Sequence, residues 1–151
     1  MMSEYYNRPE QTAEIIWRDS RGRSLIRSGD IGRMDEDGFL YILDRKKDMI
    51  LSGGFNVFPT DIEEIVGKYE AVSDVTVIGV PHDKWGETPL TLVILKQNAT
   101  VDADEIKVWA NERLAKTQHL SGVEICKEFP RNTLGKVLKR ELRKLYWPEQ
   151  K

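Results

Sequence analysis

The chain has 151 residues, enough for one ordinary domain with its own core and no need of a disulfide or metal to fold. Hydrophobic residues make up 40% and charged residues 32%, which excludes a disordered chain. The net charge of -2 excludes a global basic field of the kind that drives nucleic-acid binding, and the length excludes a self-contained enzyme of two large domains.

The first third reads as short strands and turns. Ala13 to Trp17 is a strand candidate, followed by the turn Arg18 to Gly22. Leu25 to Ile31 is a second strand, and the polar turn Gly32 to Gly38 leads to a third, Phe39 to Asp44. Phe39, Tyr41 and Leu43 fall on one face of that strand. So few strands, with so few large apolar groups, are marginal alone in water, and this segment calls for a partner sheet. The charged stretch Asp44 to Asp48 reads first as a solvated turn, and its position between two strand blocks also makes it a candidate boundary.

The pattern beyond it is regular. Met49 to Leu51 is a short strand, and Ser52-Gly53-Gly54-Phe55-Asn56 a flexible loop. Thr60 and Glu63 have capping-box spacing at the start of a helix. Ile62, Ile65, Val66 and Tyr69 form its apolar stripe. Val75 to Val80 and Leu90 to Leu95 are strands, the second nearly all apolar and so central. Their connection is too short for a helical crossover, so they should be antiparallel. Asp102 and Glu105 cap a second helix whose core face is Ile106, Trp109, Ala110 and Leu114. Val123 to Phe129 is a strand, and a last helix runs from about Lys136 to Trp147. This order predicts an α+β fold with helices on a small, mainly antiparallel sheet.

The single cysteine, Cys126, makes an intrachain disulfide impossible and points to a cytoplasmic home. It lies in a strand pattern and reads as a small core hydrophobe. No apolar run reaches the roughly 20 residues that span a bilayer. Met1 to Glu10 lacks the apolar core of a signal peptide. Neither His82 nor His119 has metal-ligand spacing with Cys126, so no metal site is expected. Leu134-Gly135-Lys136 is not a P-loop, because Pro130 and Val137 stand where a glycine and a hydroxyl belong.

Lys136, Lys139, Arg140, Arg143 and Lys144, with Arg131 nearby, make a local cationic patch. A solvated helix face explains most of it. A nucleic-acid surface is a weaker reading, since no aromatic platform is interleaved, and attraction of a phosphate-rich small ligand lies between. Lys136 itself would sit at a helix N-terminus, where the macrodipole disfavours a cation, so its placement asks for another reason.

Three segments combine unusual features: Ser28-Gly29-Asp30 with Asp37-Gly38-Phe39; Asp44-Arg45-Lys46-Lys47 with Ser52-Gly53-Gly54; and Pro130 to Arg140. In this order they resemble the C-terminal part of the adenylate-forming superfamily, which includes acyl-CoA synthetases, luciferases and peptide-synthetase adenylation domains. The resemblance runs from about Tyr5 to Tyr146, and Tyr5 to Thr12 is similar to the segment preceding these motifs in acyl-CoA synthetases.

The resemblance implies that Asp30 binds the ribose hydroxyls of ATP and of the acyl-adenylate, with Arg45 on the same side of the nucleotide. It implies that Lys47 is a hinge, where many members carry Asp, dividing a terminal β segment of a large domain (1–46) from a mobile α+β domain (47–151). It places Ser52, Gly53 and Gly54 along the pantetheine tunnel, and makes Lys136 the catalytic lysine that reaches both substrate carboxylate and α-phosphate. Lysines in this setting are acylation targets in the family. Trp85-Gly86 matches a segment near CoA, although a turn with a packed Trp explains it equally well. The stretch Thr117-Gln118-His119-Leu120 departs from the Tyr-Lys-x-Pro common in relatives, which puts any CoA contact of that loop in doubt. His119 remains near enough in pattern to meet the nucleotide end.

The implied activity is that of an acid–CoA ligase acting on a fatty acid with ATP, Mg2+ and CoA. The implied partner is a large N-terminal domain, without which the chain is inactive. An adenylation domain that loads a carrier protein and a stand-alone regulatory or binding module are the alternatives.

Overall fold

The structure is a computed structural model and describes residues 4–147. The chain forms two compact units divided between Lys46 and Lys47.

The first unit contains α1 (Pro9–Ile15), β1 (Ile16–Arg18), β2 (Ser24–Ile26), β3 (Asp30–Met34) and β4 (Leu40–Arg45). The strand expected over Ala13 to Trp17 is therefore mostly helix. Pro9 opens that helix at a position where no backbone donor is needed, and the Arg8 carbonyl accepts from both the Thr12 N–H and its hydroxyl. The strand expected over Leu25 to Ile31 is broken at Gly29, which has φ +80°. Its halves enter different antiparallel hairpins, β1–β2 and β3–β4. Asp19 closes the first turn by accepting the N–H groups of Arg21 and Arg23. Asp35 closes the second in the same way with Asp37 and Phe39. These bonds hold both carboxyls below the usual Asp range, the backbone bonds from Arg23 and Phe39 being the largest causes. No described residue of this unit is buried.

The second unit contains β5 (Ile50–Ser52), β6 (Phe55–Val57), α2 (Pro59–Val66), β7 (Val72–His82), β8 (Gly86–Leu95), α3 (Ala103–Asn111), a 3-10 turn (Lys116–Gln118), β9 (Gly122–Ile125) and α4 (Lys139–Arg143). Its sheet runs β6-β5-β8-β7, with β9 also beside β8. The β7–β8 pair is antiparallel along its whole length, and β9 is parallel to β8. The fold is thus α+β with a mainly antiparallel sheet. β7 runs through Pro81, beyond its expected end. An edge strand tolerates a missing N–H on its open side.

Both faces of β7–β8 are covered, which explains the apolar run in β8. Val77 and Val93 face Ile62, Val66, Ile106 and Ala110. Ile78, Val80, Leu90 and Leu92 face Phe129 and Leu142. Cys126 packs against this second cluster, half-buried, and desolvation followed by the Glu124 charge pushes its thiol up.

Four local expectations fail. Glu63 does not cap its helix, whose N-cap is Phe58. Its carboxylate instead accepts the outward N–H of Val77 (2.8 Å) and the Thr76 hydroxyl (3.3 Å), and pairs with Lys139 (2.7 Å). An edge strand offers unpaired donors that a nearby carboxylate satisfies. Glu105 likewise accepts from the Tyr69 hydroxyl (2.7 Å), while Asp102 does cap α3 through the Asp104 N–H. The last helix is confined to Lys139–Arg143, followed by hydrogen-bonded turns to Trp147. Residues 136 and 137 lie outside the helix, and Val137 forms an antiparallel bridge with Arg131. The strand β9 ends at Ile125 instead of Phe129, though Cys126 still donates to the Val93 carbonyl.

Ile62 is fully buried and Ile125 is 45% exposed. Ile62→Ala should cost about 2–5 kcal/mol and Ile125→Ala under about 1 kcal/mol, read by urea denaturation.

Candidate functional site

Lys136 stands on a small antiparallel hairpin, not at a helix start. Asn132 builds that hairpin: its Oδ1 accepts from the N–H groups of Leu134 (3.0 Å) and Lys136 (2.9 Å), and its own N–H donates to the Lys136 carbonyl (2.9 Å). Gly135 completes the reversal at φ +80°, a conformation costly for any residue with a Cβ. Arg131 then clamps the loop to the sheet. It donates to the Gly135 carbonyl (2.6 Å) and pairs with Asp74 on β7. The Lys136 side chain is exposed and has no ion-pair partner among the described residues. The macrodipole argument for Lys136 falls, because α4 begins three residues later. What the structure offers instead is a free ammonium at the tip of a fixed backbone.

The second group assembles at the far end of β7–β8. Gly53 and Gly54 form a two-residue turn between β5 and β6, with φ +57° and +86°. Two positive φ values suit the twist of an antiparallel hairpin. The expected flexible loop is therefore a tight turn. Ser52 pairs with Gly86, and the Gly53 N–H donates to the Trp85 carbonyl (2.9 Å). The Trp85 ring lies against Gly53, where a Cβ would stand 2.7 Å from Cε3. Lys84 sits 4.5 Å above the Trp85 ring, and His82 Nδ1 accepts from the N–H groups of Lys84 and Trp85. Ser52, Gly53, Gly54, Trp85 and Gly86 thus form one group. They are separated in sequence and joined by strand pairing.

Asp74, where the Lys136 hairpin is tied down, and His82, where the Trp85 turn begins, are both on β7. Eight residues at about 3.3 Å each put them about 26 Å apart. The structure therefore keeps Lys136 away from the Gly53–Trp85 group.

Asp30 and Arg45 lie in the first unit, in register across β3–β4, with a 3.3 Å ion pair. Lys47 opens the second unit. Its side chain is exposed, and its carbonyl accepts from Arg143 (3.3 Å). His119 is exposed just after the 3-10 turn. Among the described residues no group of three or more His, Cys, Asp or Glu is placed to hold a metal, and no helix is long and apolar enough to cross a membrane. Sequence reasoning missed Asp74, His82 and Asn132. Asn132 carried a signal, since Asn-x-x-Gly is turn chemistry. Asp74 carried none, because its partner lies 57 residues away.

A profile of the AMP-binding enzyme C-terminal domain matches residues 61–136. The chain belongs to that family. It is 42% identical over 142 residues to a long-chain-fatty-acid–CoA ligase of Bacillus subtilis, covering 94% of this chain and 24% of that protein. It is 42% identical to a 2-succinylbenzoate–CoA ligase of Geobacillus kaustophilus, covering 93% of this chain and 28% of the other. Among solved structures it is similar to ATP-bound MatB of Rhodopseudomonas palustris, with 36% identity, a TM-score of 0.83, and 95% and 28% of the two chains covered. The chain thus spans about a quarter of the length of these relatives.

Gly53→Ala should displace the Trp85 ring and change its indole N–H chemical shift, because the Cβ collides with the ring. Gly54→Ala meets no atom within 4 Å. It should leave that shift in place and cost only backbone strain of about 1–2 kcal/mol.

Proposed function

We propose that this chain is the C-terminal part of a cytoplasmic acid–CoA ligase, and that the acid is a fatty acid. The observation that carries the reading is the pairing of an unpartnered Lys136 ammonium on a clamped hairpin with a separate Gly-Gly and Trp group at the opposite end of the same ladder. Such an arrangement suits two half-reactions better than one. The relatives' names support the thioester chemistry, and that of the Bacillus subtilis relative supports the choice of acid.

In the first half-reaction a substrate carboxylate oxygen attacks the α-phosphorus of ATP, supplied with Mg2+, and pyrophosphate leaves. Lys136 balances the negative charge gathering on carboxylate and α-phosphate. An ammonium suits this as a compact point charge with rotatable donors. Asp30 accepts the ribose hydroxyls, and the ion pair to Arg45 (3.3 Å) holds its carboxylate in place. In the second half-reaction the thiolate of CoA attacks the acyl carbonyl and AMP leaves. The turn at Gly53–Gly54, without side chains, lets backbone lie against the thin pantetheine arm, with Trp85 as the wall.

Two sites anchored about 26 Å apart along β7 serve one reaction centre only in turn, so a reorientation at Lys47 would exchange them. The reaction centre, with the ATP loop and acyl pocket, belongs to a large domain supplied by the whole protein. The first unit's exposed Phe39, Leu40 and Ile42 fit strands that complete a sheet there.

Alone, the 151 residues should give no acid-dependent ATP–pyrophosphate exchange. In the whole protein Lys136→Ala should lower that exchange by about 100-fold or more, while transfer from supplied acyl-AMP to CoA falls by less than about tenfold. Equal losses in both steps, or robust exchange by the chain alone, would contradict the reading.

A further inference from the structure

The cationic patch on α4 is not used by the chemistry above, and the structure gives it a shape. Lys47, Lys139, Arg140, Arg143 and Lys144 line a cavity of about 700 Å3, with Asp48 the single lining carboxylate among the described residues. Val137, Leu138 and Trp147 supply an apolar wall. That volume lies within the usual range for small-molecule sites.

The cations are not equivalent. Lys139 pairs with Glu63 (2.7 Å), Lys144 with Glu141 (2.7 Å), and Arg143 reaches Glu87 at 3.5 Å. Lys47 and Arg140 have no ion-pair partner among the described residues. Among the described residues two cations without an ion pair, Lys47 and Arg140, therefore share the cavity with three that have one, and Arg140 is balanced only by the more distant charge of Glu141. Like charges gathered in a partly desolvated space raise the free energy of the empty state, and a bound anion lowers it. The walls are also fixed. Arg143 donates to the Lys47 carbonyl (3.3 Å), and the Trp147 indole N–H donates to the Gly79 carbonyl (2.9 Å).

We propose that this cavity binds a small phosphate monoester whose organic part is flat and apolar. The planar fork of Arg140 matches two phosphate oxygens, and Lys47 supplies the second charge for a dianion. The Leu138 and Trp147 wall receives the organic part, as aromatic faces do. The site shares Lys47 with the proposed hinge but is separate from the Lys136 side chain and from the Gly53–Trp85 group, and its binding is read without any ligase activity.

The test is an NMR titration of the labelled 151-residue chain at low salt, with phenyl phosphate and with inorganic phosphate as probes. Saturable shifts should appear in the amides of 139–144 and in the Trp147 indole N–H. Phenyl phosphate should bind at least about threefold tighter than inorganic phosphate, through the ring contact. Arg140→Ala should weaken both probes about tenfold, whereas Lys116→Ala, away from the cavity, should change neither. The proposal is overturned by any of three results: shifts centred on Lys136, equal affinity for the two probes, or shifts indifferent to Arg140→Ala. Tighter binding of a short single-stranded oligonucleotide, spread beyond the cavity, would overturn it in favour of nucleic acid.

Discussion

The β7–β8 ladder is the constraint on which the second unit depends. Ten residue pairings, from Val72 with Leu95 to His82 with Gly86 and broken only by a bulge between Val72 and Asp74, make a stiff two-stranded beam. Its two faces hold separate apolar clusters, and its edges and ends hold everything else. The Lys136 hairpin is tied to one end through Asp74. The Gly53–Gly54 turn is tied to the other through Ser52, Gly86 and the Trp85 ring. The cavity on α4 lies alongside, bounded by Lys47 and by Arg143, which reaches toward Glu87 of β8. The distance between the functional groups is thus a property of strand length, which side-chain rearrangement cannot alter.

What stabilises these loops is mostly satisfied backbone. At Lys136 an asparagine side chain and an arginine replace the bonds that a longer helix would have supplied. At Gly53 the turn depends on two residues without Cβ atoms and on an aromatic ring filling the space so left. Each net hydrogen bond contributes on the order of 1 kcal/mol, with charged ones somewhat stronger. Glu63 shows the same economy. One carboxylate joins α2, the open edge of β7 and α4, and so links the two faces of the beam.

Much of this was legible in the sequence. The β-branched and apolar runs at 75–80 and 90–95, with their short connection, announced the antiparallel pair and its central strand. The three motifs announced the family. The failures share a cause, which is that local chemistry was outcompeted by partners distant in sequence. Thr60 and Glu63 had the spacing of a capping box, but Val77 and Lys139 took Glu63. The pattern from Lys136 to Trp147 looked helical throughout, but Asn132 and Gly135 held its start outside the helix. Ala13 to Trp17 read as a strand candidate, but Pro9 began a helix upstream. Pairings such as Asp74 with Arg131, or Gly53 against Trp85, need the fold before they can be seen.

The central claim is that one rigid ladder holds the Lys136 hairpin and the Gly53–Trp85 turn apart. A double electron–electron resonance distance between spin labels at Asp83 and Thr133, in a Cys126→Ser background, tests it most directly. Both positions are exposed. The account predicts a single narrow distribution centred between about 25 and 35 Å, the length of the ladder plus the label arms. A broad distribution, or a main peak below about 20 Å, would contradict it.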